Sequence, residues 1–179
     1  VKATEYMKLI GDYERIADHA VNILESAEEM KSKDVVFSEG AVTEYKMISD
    51  AVMEIVNLSF AAFSKEDFDS AHKTEPLEQV IDVLKEKLRT RHLIRLQKKE
   101  CSVAAGFIWS DLLTNLERVS DHCSNISGCM LDAEDRTMNM HEKQRMLRNS
   151  DEDFRQQYDM FLKKYNDYIS MSLLKSQSD

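Results

Sequence analysis

The chain has 179 residues, enough to bury roughly 70% of its unfolded surface in a core that needs no disulfide or metal staples. Four glycines and one proline leave little material for tight turns, and 32% charged against 42% hydrophobic residues excludes a disordered chain and suits an amphipathic helical bundle. A net charge of −9 repels phosphate backbones, which sets nucleic acid aside and makes cations or basic protein faces the favoured partners.

Nearly every segment reads at helical period. A first helix is expected from about Thr4 to Met30, with Leu9, Tyr13, Ile16, Ala20, Ile23 and Ala27 as its apolar positions. Lys31 to Phe37 reads as a linker, and Ser38 as the N-cap of a second helix reaching about Phe63. Ser64 with Asp67 three residues on resembles a capping box that opens the next segment. A third helix carries Leu77, Val80, Ile81, Leu84 and Leu88 to about Leu96; Pro76 fits its first turn if it starts at Thr74 and should kink it if it starts near Phe68. Ser102 is placed to cap a fourth helix over about Val103–Leu131. The stretch from Asp132 is more polar; Ser150 with Asp153 offers a cap for a closing helix through Phe154, Tyr158, Phe161, Tyr165 and Ile169, with fraying expected from Ser170.

No run approaches the ~18 apolar residues of a membrane helix, and no signal peptide is visible. Val1 sits against a helical pattern already under way, so the chain reads as a piece of a longer protein. Cys101, Cys123 and Cys129, an odd count without framework spacing, read as reduced thiols in a cytosolic setting, with Cys123 and Cys129 as core filler.

One internal repeat stands out. DYERIADHAVNI (12–23) matches NLERVSDHCSNI (115–126), with identities at Glu14/Glu117, Arg15/Arg118, Asp18/Asp121, His19/His122, Asn22/Asn125 and Ile23/Ile126. The offset from Glu14 to Glu117 is 103 residues, which fits a three-helix unit used twice with the repeated helix last. Five of the six identities are polar. At 100° per residue Glu14, Asp18 and Asn22 share one sector of about 80°, opposite the apolar stripe, and Glu117, Asp121 and Asn125 do the same. Both copies are therefore expected to aim a polar ladder outward. Like charges at i,i+4 repel by roughly 0.2–0.5 kcal/mol, so each pair calls for a cation, either the neighbouring Arg15 and Arg118 or a metal ion. Glu75, Glu78 and Asp82 share a face of the third helix and add hard oxygen donors. His19 and His122 lie more than ~100° from the carboxylate sector and should pack or bond a neighbouring helix, not ligate metal. A single Glu-Arg-x-x-Asp helix is ordinarily a solvated ion-pair face; two matched copies argue for more.

These two motifs, with LEQVID (77–82) between them, resemble the PhoU family of phosphate-uptake regulators over about residues 1–133. Within it, the stretch Cys101–Ile126 and the tail after His141 are most similar to the cytoplasmic PhoU-like region of sodium/phosphate cotransporter-like membrane proteins. The resemblance implies an all-α, antiparallel bundle of three-helix units: residues 1–31 as the last helix of a truncated first unit, 38–133 as a complete second unit, and 134–179 as a helical tail. It implies a non-enzymatic regulator that binds iron or zinc, or another divalent cation, through ExxxD motifs. By motif match Glu14, Asp18, Glu117 and Asp121 are metal candidates, and Glu78 and Asp82 a second set. It also implies a phosphate transporter's membrane domain or a phosphate-signalling protein as partner, leaves a homodimer open, and places the domain at the cytoplasmic face of the membrane. Two departures follow. The helices preceding the first motif are missing, and the position four before Glu75 is Ala71, where the family pattern has a carboxylate.

Two rival readings compete with this one. A ferritin-like di-iron enzyme needs Glu-x-x-His pairs on an inward face, whereas Glu14 to His19 is an interval of five. A metal-free adaptor bundle is the second. No nucleophile elbow or Cys–His arrangement supports covalent catalysis.

Overall fold

The structure, a computed structural model, describes residues 3–136 and 138–175, with the backbone alone for 140–149 and 169–175. It contains α1 (Ala3–Ser32), α2 (Glu39–Lys65), α3 (Phe68–Gln97), α4 (Val103–Asp135) and α5 (Met140–Lys175), and no strand among the described residues. The all-helical, bundled class expected from the sequence is what forms.

The helix ends follow from local chemistry. Ser38 accepts a hydrogen bond from the Ala41 amide (3.3 Å) and Ser102 from the Ala105 amide (3.1 Å), each satisfying an orphan donor of a first turn. At α3 the cap differs from expectation. Ser64 lies inside α2 and donates its hydroxyl to the Phe60 carbonyl (2.7 Å). Asp67 is the cap, accepting from the Ser70 amide (3.1 Å) and the Ser70 hydroxyl (2.8 Å). These bonds hold the Asp67 carboxyl below its ordinary range. Glu66, in the left-handed region at φ 53°, makes the reversal between α2 and α3.

Starting at Phe68, α3 runs through Pro76 without a break in the helix. The proline ring is buried, and its missing N–H leaves the carbonyl one turn back without a helical donor. Thr74 beside it donates to the Ser70 carbonyl (3.1 Å) and accepts from the Ser127 hydroxyl of α4 (2.9 Å), tying α3 to α4 there. Ser150 and Asp153 do not open a helix: α5 begins ten residues earlier, at Met140, so its polar first half is helix and not linker.

The core forms where α2, α3 and α4 meet. Met47, Ile48, Ala51 and Ile55 of α2 pack with Leu77, Val80, Ile81, Leu84 and Leu88 of α3 and with Trp109, Leu113, Leu116 and Cys123 of α4. Among the described residues α2 is the one helix long and apolar enough to cross a membrane by length and composition, against the expectation of no such run. Its apolar side is occupied by this core. Phe161 and Tyr165 of α5 close the α2–α3 face, and the Tyr165 hydroxyl donates to Glu54. Glu44 of α2 is buried and ion-paired to Arg91 (2.5 Å) and Arg95 (2.9 Å) of α3; Arg95 in turn lies over the Trp109 ring at 5.5 Å.

α1 packs chiefly on α4. At the repeat offset, Tyr6 and Ile10 of α1 correspond to Trp109 and Leu113 of α4. The first pair is 48% and 54% exposed and the second 1% and 2%, because α2 and α3 cover α4 and no described helix covers that side of α1.

Candidate functional site

The two repeated motifs meet where α1 and α4 cross in antiparallel fashion. His19 Nδ1 donates to Asn115 Oδ1 (2.8 Å), and His122 Nδ1 donates to Asp12 Oδ1 (2.9 Å). Asn115 and Asp12 are the first residues of the opposite motifs, so each motif's imidazole anchors the start of the other. The two rings stack with centroids 5.7 Å apart and planes 22° apart. Asn22 adds a bond to the same Asn115 oxygen (3.1 Å). Both histidines therefore bond the neighbouring helix, as their angular displacement from the carboxylates predicts.

The carboxylates of the two copies stand in different surroundings. Glu14 and Asp18 are exposed on α1, as expected from the helical wheel. Glu117 and Asp121 do not project freely: their side chains are 14% and 29% exposed, because the polar sector of α4 lies along the edge of α3. There they meet Glu78, half-buried, and Asp82, so four of the six predicted residues share one seam.

Electrostatics record that proximity. Burial, together with the charges of Asp82, Glu75 and Asp121, pushes the Glu78 carboxyl up to about 7. Asp82 is raised by burial and by Glu117 and Asp121, partly offset by Lys85. The compensating cations are Lys85, 3.2 Å from Glu117, and Arg118, 3.2 Å from Asp121 and 3.8 Å from Glu117. Glu75, next along α3, accepts from the Ser124 hydroxyl (2.5 Å). Lys85 was not singled out from the sequence; its place one turn after Ile81 on the α3 edge was the available signal.

Hard oxygen donors held against like charge match a divalent cation in type. Among the described residues, however, no three His, Cys, Asp or Glu side chains converge closely enough to hold a metal ion. The seam is thus a matched donor set in which Lys85 and Arg118 supply the positive charge. Thiol chemistry adds nothing here: burial pushes Cys123 up to about 12, where the thiolate is scarcely populated.

Fold and seam together define an all-helical bundle built on a duplicated acidic helix. The chain belongs to the PhoU domain family, whose model matches residues 1–27 and 46–130. It is 28% identical, over 120 residues, to the phosphate-specific transport system accessory protein PhoU homolog 1 of Thermotoga maritima, an alignment covering 67% of this chain and 51% of that protein. The chain thus spans about half the length of the curated relative it matches. No solved structure matches it. Helix α5 lies outside the family match.

Proposed function

We propose that this chain is a non-enzymatic regulatory domain of phosphate uptake. In this reading Glu78, Asp82, Glu117 and Asp121, which do not converge closely enough to hold a metal ion as they stand, draw together around a divalent cation, iron or zinc, with Glu14 and Asp18 as a further acidic pair on α1. The observation that carries the cation reading is the α3–α4 seam, where four carboxylates meet and burial, with the charges of Asp82, Glu75 and Asp121, lifts Glu78 to about 7. A bound cation would supply positive charge that lets all four carboxylates ionise together. The residues themselves do the rest: Lys85 and Arg118 hold Glu117 and Asp121 in place, and the His19–His122 stack fixes α1 across α4. The charge of the seam then sets how the domain docks. The apolar side of α1, with Tyr6 and Ile10 exposed, is the face offered to a transporter's membrane domain, a phosphate-signalling protein or a second copy of the chain. A sodium/phosphate cotransporter-like protein, with this domain at the cytoplasmic face of the membrane, is the setting the motif similarity favours.

The test replaces Glu117 and Asp121 with alanine in the intact protein. Expected are a loss of bound iron or zinc by elemental analysis of chelator-free preparations and a loss of phosphate-dependent control of uptake in cells. Unchanged control with the helical content intact would overturn the regulatory role of the seam. A second reading, a metal-free adaptor bundle, is favoured by Lys85 and Arg118, which already neutralise much of the seam. Loss of uptake control without any metal in the starting protein would select it.

A further inference from the structure

We propose that the groove between the C-terminal half of α3 and the N-terminal half of α4 binds a small organic anion: a carboxylate or phosphate monoester carried on an apolar body.

The groove is a cavity of about 510 Å³, within the range that small ligands occupy. Its floor carries a polar group with nothing to bond. His92 is 5% exposed, and neither ring nitrogen has a hydrogen-bond partner. Buried polar side chains are nearly always bonded, and His92 lines this cavity with its ring nitrogens just beneath the surface, so a ligand that presses into the floor supplies the missing partner. Burial and the nearby Arg95 lower the His92 pKa, so the ring is neutral, with one N–H to give and one lone pair to receive. The ring is held in position. It stacks on Trp109 at 5.8 Å and 22°, and its Nε2 lies against Gly106, where a methyl group would come within 3.1 Å.

The walls set the ligand class. Leu93 and Phe107 present apolar surface at the rim, and Leu96 and Leu113 continue it inward. Lys85 and Arg89 are the charged residues lining the groove, and no carboxylate lines it. Lys85 is engaged by Glu117 (3.2 Å), whereas Arg89 reaches Glu86 at 3.9 Å in an exposed, weak pair. Arg89 is therefore the cation available to a ligand. In a chain of net charge −9 this is a place where an anion meets positive charge. An apolar body on Phe107, a hydrogen bond to His92 and an anionic end on Arg89 satisfy all three features at once. The site adjoins the acidic seam through Lys85 but does not depend on the cation reading.

The test titrates the full chain with sodium octanoate, read by calorimetry and by the imidazole ¹⁵N resonances of His92. Expected are one molecule bound per chain, a shift of the His92 resonances, and binding about tenfold or more weaker to Arg89→Glu and to 1-octanol. Gly106→Ala presses on His92 and Leu96 from below and should weaken octanoate similarly; if that variant does not fold, Arg89→Glu, at an exposed position, decides. Binding indifferent to Arg89→Glu or to the carboxylate overturns the proposal. So does the absence of binding at millimolar octanoate, or binding that leaves the His92 resonances unmoved.

Discussion

Glu78 shows how a side chain's charge is decided by its burial and its neighbours. Its ordinary value is 4.5 and its folded value about 7, so the native state holds the proton more tightly than the unfolded chain. The resulting stabilisation is complete below pH 4.5 and is lost as pH rises through 7. Glu78→Gln, which removes the titration, should raise stability at pH 8 by about 1–2 kcal/mol, allowing for solvent screening of a half-buried group. Near pH 4.5 it should leave stability almost unchanged. Denaturant unfolding at the two pH values checks both halves. The helical wheel placed Glu117 and Asp121 correctly on the polar sector of α4. It could not show that α3 lies along that sector, because a wheel describes one helix in isolation. The reciprocal bonds of His19 and His122 were half-legible: their angle excluded them from the carboxylate ladder, but their partners Asn115 and Asp12 are about a hundred residues away.

At the scale of elements, serine caps were readable wherever they preceded a long apolar stripe, as Ser38 and Ser102 do. The misreadings have physical reasons. Ser64 satisfies its hydroxyl on the previous turn, as serine can inside a helix, which left Asp67 to cap α3. Of the two starts left open by Pro76, the one near Phe68 forms, and the buried ring and the Thr74–Ser127 contact offset one missing backbone bond. Glu44 was invisible as a core residue, since an acidic side chain reads as surface until its partners are known. It now bridges α2 and α3 through Arg91 and Arg95. Glu44→Ala leaves the largely buried Arg95 without that partner and should cost about 3 kcal/mol. A lowered urea midpoint with an unchanged slope would register it.

Across the whole molecule, the 103-residue repeat was the most informative feature of the sequence, because five of its six identities are polar and so go beyond a shared apolar core. It carried the resemblance to the family, whereas the crossing of α1 and α4 and the seam became visible only in the structure. It said nothing of α5, which lies outside the repeat yet contributes Phe161 and Tyr165 to the core. Phe161→Ala should destabilise the bundle by about 3 kcal/mol and open α5 first, seen as early proteolysis after residue 140. The position of Cys123 at the centre of the bundle has a practical consequence. Cys101 is part-exposed and Cys123 is buried beside Ser59 of α2 and Asp12 of α1, so an alkylating reagent should mark the first within its intrinsic reaction time and the second only when α4 parts from the core. The ratio of the two labelling rates, read by mass spectrometry, makes the protein its own clock for how often the bundle breathes, and near-equal rates would mean that its centre is open to solvent.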